Sequence, residues 1–279
     1  MPDTPMLPAG SMCSTTTEVT VSTPDLAMTG ERTVPGIPAE NYWFRRHEVV
    51  YAAIPGWVDG LPGRVLDAGS GEGYGVARLG AAWPGARVLG IDYDGASLAH
   101  ARERYGSARA AFVRGPLTSA PLPDNSFDVI VSLQVIEHIW TPGAYLRELA
   151  RVGRPGATVV LSTPNRLTFS PGVGRREKPA NLFHAREYDA LELADLVGET
   201  VEVTTVLGVH HAPRLTEWER RHGDPVRAQL RAPAEAWPGA LRELVASVTT
   251  ADFDLSPAGP DASLDLDASL DLVVVGRVS

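Results

Sequence analysis

The run VLDAGSGEGYG, residues 65–75, decides how this chain folds. Asp67, Gly69, Gly71 and Gly73 give D-x-G-x-G-x-G at the end of a short apolar stretch that reads as a strand. Glycine at alternate positions lets the backbone turn sharply and approach a ligand closely. The turn runs into a segment of helical spacing at 74–82, whose first N–H groups have no partner inside the helix. Asp67 ends the strand with a carboxylate able to accept from a ligand ammonium. The dinucleotide fingerprint G-x-G-x-x-G needs a third glycine where this chain has Tyr74 or Val76, which disfavours NAD and a dehydrogenase.

Outward from this turn, strands and helices alternate. Strands are expected at 64–67, 87–92 (RVLGID), 111–114, 127–133 (FDVIVSL) and 157–162 (ATVVLS), with helices near 96–105 and 142–152. The strands are apolar without alternation, as burial on both faces requires. Such alternation specifies an α/β fold with a doubly wound parallel sheet. Before it, ENYWFRRHEVVYAAIPGW at 40–57 carries apolar residues at helical spacing and stops at Pro55-Gly56. After it, residues 163–185 form a long loop, a helix is expected over 185–196, and a strand over 201–207. Residues 212–262 read as helical pieces broken by Pro213, Pro225, Pro233 and Pro238, before a last strand at 270–278.

The 279 residues carry a net charge of −9, which argues against a nucleic-acid partner, since phosphate contacts need clustered cations. The first 30 residues hold −3 and residues 251–279 hold −5, so the body between them is almost neutral. One cysteine, Cys13, excludes an intrachain disulfide and a cysteine-based metal site. No apolar run approaches the roughly 20 residues of a membrane span, and no secretory leader pattern opens the chain. A cytoplasmic protein is expected. Residues 1–36, rich in Thr, Ser and Pro, read as a disordered tail, and residues 37–279 as one domain.

GIDYD places Asp92 about 20 residues after the glycine turn, where an acidic side chain meets ribose hydroxyls in such folds. Tyr93 follows and offers a ring for an adenine. With the glycine turn, these residues resemble the class I S-adenosylmethionine-dependent methyltransferases over about residues 40–210 and 268–279. The resemblance implies a Rossmann-like sheet of order 3-2-1-4-5-7-6 with strand 7 antiparallel, a helical N-terminal lid and a helical insertion before the last strand. It implies S-adenosylmethionine as cofactor, its methionine part surrounded by Asp67, Gly69, Ser70, Gly71 and Gly73 and its ribose held by Asp92. The acidic residue that the family carries near the adenine is replaced by Gly115-Pro116-Leu117. Leu117 therefore stands in as an apolar contact.

SLQVIEHIW, residues 132–140, matches the family's segment after strand four and sets Gln134, Glu137 and His138 at the carboxyl edge of the sheet, where open α/β sheets bind ligands. Gln134 is assigned to the cofactor. His138 is the candidate general base, because imidazole takes up a proton near neutral pH. Glu137 would orient it or join a divalent metal site of the magnesium type, for which the aspartates of 252–271 are the other candidates.

A narrower resemblance rests on GERTVP (30–35), ENYWFRRHEVVY (40–51), STPNRLTFSPG (162–172), NLFHAREY (181–188), VTTADFDL (248–255) and SLDLVVV (269–275). These blocks look like the actinobacterial sugar 1-O-methyltransferases of methylmannose polysaccharide biosynthesis. That resemblance implies methylation of the reducing-end 1-hydroxyl of short, partly methylated α-mannosides. Tyr42, Arg46, His184 and His211 are the candidate acceptor contacts, with residues 163–185 and 212–262 as acceptor-side insertions. The stretch 165–186 carries a local +4. The alternatives are a natural-product or lipid-precursor O-methyltransferase and a non-catalytic S-adenosylmethionine-binding protein.

Overall fold

A computed structural model describes residues 33–257 and 265–279. The expected tail falls largely on residues 1–32, outside the described residues. A short 3-10 turn, Pro38–Glu40, leads into α1, Asn41–Ala53. Pro55 converts the helix end to a 3-10 turn, Ile54–Trp57, since proline offers no N–H to continue the ladder.

The expected alternation follows: β1 Arg64–Ala68, α2 Tyr74–Ala82, β2 Arg87–Asp92, α3 Gly95–Tyr105, β3 Ala110–Arg114, β4 Phe127–Leu133, α4 Pro142–Val152 and β5 Gly153–Pro164. Asp94 caps α3, its carboxylate accepting from Ala96 N and Ser97 N. Such a cap stabilises a helix by about 1 kcal/mol. Two turns depart from the expected boundaries. The stretch after β5 is not all loop, because Asn165 caps a four-residue helix, α5, Arg166–Phe169. The next helix, α6, spans Ala190–Gly198 and so begins later than expected. Asp189 and Glu192 form a reciprocal capping box that sets this start.

Then come β6 Val201–His211, α7 Pro213–His222, α8 Pro225–Leu230, α9 Gly239–Ser247, β7 Phe253–Pro257 and β8 Asp271–Val278. The sheet order is β3-β2-β1-β4-β5-β8-β6-β7. Strands β1 to β5 pair in parallel, and β8 runs antiparallel between β5 and β6. This is the expected order with one addition. Residues 212–262 are not only helical: β7 pairs antiparallel with β6 and forms the sheet's outer edge.

Each face of the sheet has its own buried core. Tyr42, Val50 and Tyr51 of α1 and Ile54 just after it join α2 and α3 on one side, where α9 also packs through Leu241, Leu244 and Val245. Tyr145, Leu146 and Leu149 of α4 and Leu193 of α6 cover the other. Strand β8, DLVVVGRV, is buried along nearly all its length, as a central strand with both faces covered must be. Asn41 fastens the start of α1 to the end of α9, its amide donating to the carbonyls of Val245 and Val248 at 2.9 and 2.8 Å. No described helix is long and apolar enough to cross a membrane.

Candidate active site

The glycine turn sits at the carboxyl end of β1 and is clamped to β2. Gly69 N and Ser70 N donate to the carbonyl of Ile91 at 2.8 and 3.1 Å. Gly73 starts α2 in the left-handed region, φ +100°, where a Cβ would lie 2.8 Å from that of Ala101, so only glycine fits. A Cβ on Gly75 would lie 2.4 Å from both Asp67 Oδ2 and the Tyr51 hydroxyl. At Gly71 it would meet nothing within 4 Å, so the turn's outer side is open to a ligand.

Asp67 is fully buried and accepts from the Tyr51 hydroxyl at 3.1 Å. Burial pushes its carboxyl up to about 7, against the lowering effect of that hydrogen bond. A buried carboxylate with a single donor invites a cationic partner. Asp92 is buried as well. Its Oδ2 accepts from Gly71 N at 2.9 Å and its Oδ1 from Asp94 N at 2.9 Å, so it ties the turn to the end of β2. Two such bonds leave each oxygen a lone pair for a ligand hydroxyl. Tyr93 is 72% exposed and its ring is accessible. Ser70, within the turn, directs its hydroxyl toward Gly90, and Leu117 is half-buried against the core that holds Leu66, Ala68 and Ile91. Glu72, which the sequence did not single out, is buried beneath the turn 3.1 Å from His100 Nε2, and burial raises its carboxyl to about 7. The open turn, the singly bonded Asp67 and the two-toothed Asp92 fit S-adenosylmethionine.

Beyond the end of β4 the chain turns at Gln134, whose φ of +56° is rare for a residue with a side chain. Its amide donates to Ser162 Oγ at 3.1 Å and Asp271 Oδ1 at 3.2 Å, which secures that conformation. The 3-10 turn Ile136–His138 follows. The Glu137 carbonyl accepts from Ala185 N and Arg186 N, pinning the loop that carries His184 against this turn. The rings of His138 and His184 meet edge to face, centroids 5.0 Å apart. His138 Nδ1 lies 3.2 Å from the Phe183 carbonyl, to which its N–H donates in the tautomer assigned here, placing the basic lone pair on Nε2. His184 Nδ1 lies 2.6 Å from Glu187 Oε1. Glu137 is buried, which raises its carboxyl, and it accepts from Thr163 Oγ1 at 3.0 Å.

Glu137, His138 and His184 present donor atoms all within 4.8 Å of one another. Two imidazoles and one carboxylate suit a transition metal, whereas magnesium prefers oxygen ligands. The aspartates offered as further magnesium ligands do not gather. Asp252 is paired with Arg214, Asp271 with Arg46, and Asp265 caps a turn. Asp261 lies outside the described residues. The residues present do not fit magnesium.

A cavity of about 650 Å³ opens over these groups, within the range of small-molecule sites. Arg46, Gln134, Glu137, His138 and His184 line it, with Trp43 and Phe169 on one wall and Trp237, Leu230 and Phe183 on others. The structure therefore brings Arg46 and His184 to one space with the candidate base. Tyr42 and His211 are set behind it. Tyr42 is fully buried, its hydroxyl 2.6 Å from His211 Nε2, and His211 Nδ1 lies 3.1 Å from Glu219 Oε2. Burial holds the Tyr42 phenol above and His211 below their ordinary values. Two of the five cations in the basic stretch 165–186 go to the start of α6. Arg166 pairs with Asp189 at 2.5 Å and Arg175 with Glu192. Tyr51 was not foreseen, His47 was expected only with its neighbours on the first helix as a cleft residue, and Asp271 was expected as a metal candidate and not as the partner of Arg46. In SLDLVVV it is the polar residue that opens an apolar strand.

A family model described as a methyltransferase domain matches residues 66–161. A chain of Mycolicibacterium smegmatis called "Probable S-adenosylmethionine-dependent methyltransferase" is 49% identical, the match covering 90% of this chain and 94% of that one. A Mycobacterium tuberculosis chain of the same description is 45% identical, over 92% and 91%. Among solved structures, a SAM-dependent methyltransferase from Thermotoga maritima superposes with a TM-score of 0.53 at 18% identity, over 85% of this chain and 93% of that one, a likeness of fold.

Proposed function

The chain belongs to the S-adenosylmethionine-dependent methyltransferases, and we propose that it is a cytoplasmic O-methyltransferase acting on the reducing-end 1-hydroxyl of short, partly methylated α-mannosides in methylmannose polysaccharide biosynthesis. The observation that carries this reading is the make-up of the cavity beside Gln134. Flat apolar surfaces from Trp43, Phe169 and Trp237 face the polar groups of Arg46, Gln134, His138 and His184. A sugar bearing methyl ethers presents the same mixture of apolar faces and directed oxygens.

Bound S-adenosylmethionine supplies an electrophilic sulfonium methyl. Asp67 would accept from its ammonium and Asp92 from its ribose, and Gln134, which lines the cavity, would contact the cofactor. The protein's task is then to hold the acceptor oxygen in line, about 3 Å from the methyl. His138 takes the proton on Nε2 as the oxygen attacks. Its Nδ1–H stays on the Phe183 carbonyl, which keeps the ring oriented. An anomeric hydroxyl is more acidic than other sugar hydroxyls and suits an imidazole base. His184, held by Glu187, is a second contact to the sugar. No step is routed through a metal.

The test is methyl transfer from S-adenosylmethionine to a panel of 3-O-methylated α-mannobiose, free mannose and a hydrophobic phenol. Preferred turnover of the methylated mannobioside is expected, with the new methyl at O1. Preferred turnover of the phenol would replace this reading with a natural-product or lipid-precursor acceptor. Leu182, Phe183 and Leu230 favour that second reading, being 78%, 62% and 66% exposed around the cavity. Cofactor binding by calorimetry with no transfer to any acceptor would mark a non-catalytic binding protein.

A further inference from the structure

Arg46 is a buried charge held from several sides in the cavity wall. It is only 5% exposed, and its guanidinium carbon lies 4.9 Å from the ring centroids of both Trp43 and Phe169. Its Nε lies 3.1 Å from Asp271 Oδ2 and its Nη2 3.2 Å from His47 Nε2. Nη1 is buried and has no hydrogen-bond partner among the described residues. A buried donor without an acceptor is costly to keep, so a ligand oxygen is its natural complement.

The charge around this donor selects which oxygen. Asp271 is buried as the first residue of β8 and cancels the guanidinium. Glu137 and Glu187 line the same cavity and His47 is held neutral by burial and by Arg46. No uncancelled cation among these groups is left for a carboxylate or a phosphate, and burying an unpaired anion beside Asp271 is strongly unfavourable. Asp271 Oδ1 also accepts from Gln134, so one carboxylate links the cofactor-side turn to the donor on α1.

We infer that Arg46 donates to an uncharged hydroxyl or ether oxygen of the acceptor, and that Asp271 is the positioning residue that makes the cavity select neutral acceptors over carboxylate- or phosphate-bearing ones. The inference rests on this cavity being the acceptor site. Its test is calorimetry on the full chain saturated with S-adenosylhomocysteine, using two matched pairs of probes. One pair is 3-O-methyl-α-mannobiose and the corresponding mannuronate. The other is 4-hydroxybenzyl alcohol and 4-hydroxybenzoate.

The wild type binds each neutral probe at least tenfold more tightly than its acid partner. Asp271→Asn narrows that ratio at least tenfold by gaining affinity for the acids, an effect that mere loosening of structure does not produce. Arg46→Gln, which leaves Asp271 uncancelled, loses at least tenfold for the neutral probes, and it decides the matter if Asp271→Asn does not fold. Equal binding of neutral and acid probes by the wild type, an unchanged ratio in folded Asp271→Asn, or unchanged neutral binding in Arg46→Gln overturns the inference. Binding of neither sugar, with the alcohol still preferred over the benzoate, overturns the mannoside reading and leaves this inference standing. Binding of no neutral probe overturns the inference itself.

Discussion

Asp67 is a fully buried carboxylate whose one side-chain donor among the described residues is Tyr51. Its folded pKa, about 7, lies well above the value near 4 of an unfolded aspartate. A group of this kind lends stability at low pH and loses it as pH climbs from about 4 to about 7. Asparagine mimics the protonated acid and can still accept from Tyr51. Asp67→Asn should therefore raise the melting temperature of the cofactor-free protein at pH 8, raise it less at pH 5 and leave it nearly unchanged below about pH 4, while weakening S-adenosylmethionine binding at least tenfold. Ionised Asp67 is the form a ligand ammonium favours, so wild-type cofactor affinity should rise with pH and level off above about 7. Calorimetry across that range checks both. At His138, general-base catalysis is worth about 10²–10⁴-fold. His138→Ala should lower kcat by about that factor with cofactor affinity unchanged, measured by calorimetry and steady-state transfer. Near-normal turnover would remove the base assignment.

At the scale of elements, the first turn of α2 packs on β1 and α1 through Gly75, which the glycine motif did not include. A methyl there would press within 2.4 Å of Asp67 Oδ2 and the Tyr51 hydroxyl. Gly75→Ala should cost at least tenfold in cofactor affinity, read by calorimetry, because the hydrogen bond that orients Asp67 must open. The element boundaries show which signals are local. Strands β1 to β5 were legible because both-face burial demands contiguous apolar residues. The start of α6 was misplaced because the Asp189–Glu192 box outweighs the helical composition upstream. Strand β7 was read as part of a helical insertion. Its residues, FDLSP, become a strand only by pairing with the end of β6, a long-range partner that short-range pattern does not reveal.

Taken as a whole molecule, the chain uses its insertion to finish the sheet as well as to wall the cavity. Phe253 of β7 is buried, with its ring centroid 5.4 Å from that of Tyr42 and 6.3 Å from that of His211. It therefore joins the sheet edge to α1, the element that carries Arg46. Phe253→Ala should destabilise the protein by about 3–5 kcal/mol, seen as a lower midpoint in urea unfolding. It should also raise the acceptor KM more than it changes kcat, since α1 positions the cavity wall and not the base.

The sequence by itself determined the doubly wound sheet, the glycine turn from Asp67 to Gly73 and the place of Asp92 at the end of β2. These depend on contiguous pattern: apolar runs, glycine spacing and a strand-to-helix turn. It also placed Glu137 and His138 at the sheet's carboxyl edge, because both lie within a few residues of β4. The tertiary structure alone decided that Arg46 and His184 share a cavity with His138, while Tyr42 and His211 pair behind it. It alone joined Arg46 to Asp271 and Gln134, and it alone turned Asp67 into a carboxyl that titrates near neutrality. The physical reason is common to all of these. Charge pairing and desolvation depend on which distant segments the sheet order brings together, and strand β8, inserted between β5 and β6, carries Asp271 to within reach of both Arg46 on α1 and Gln134 just beyond β4.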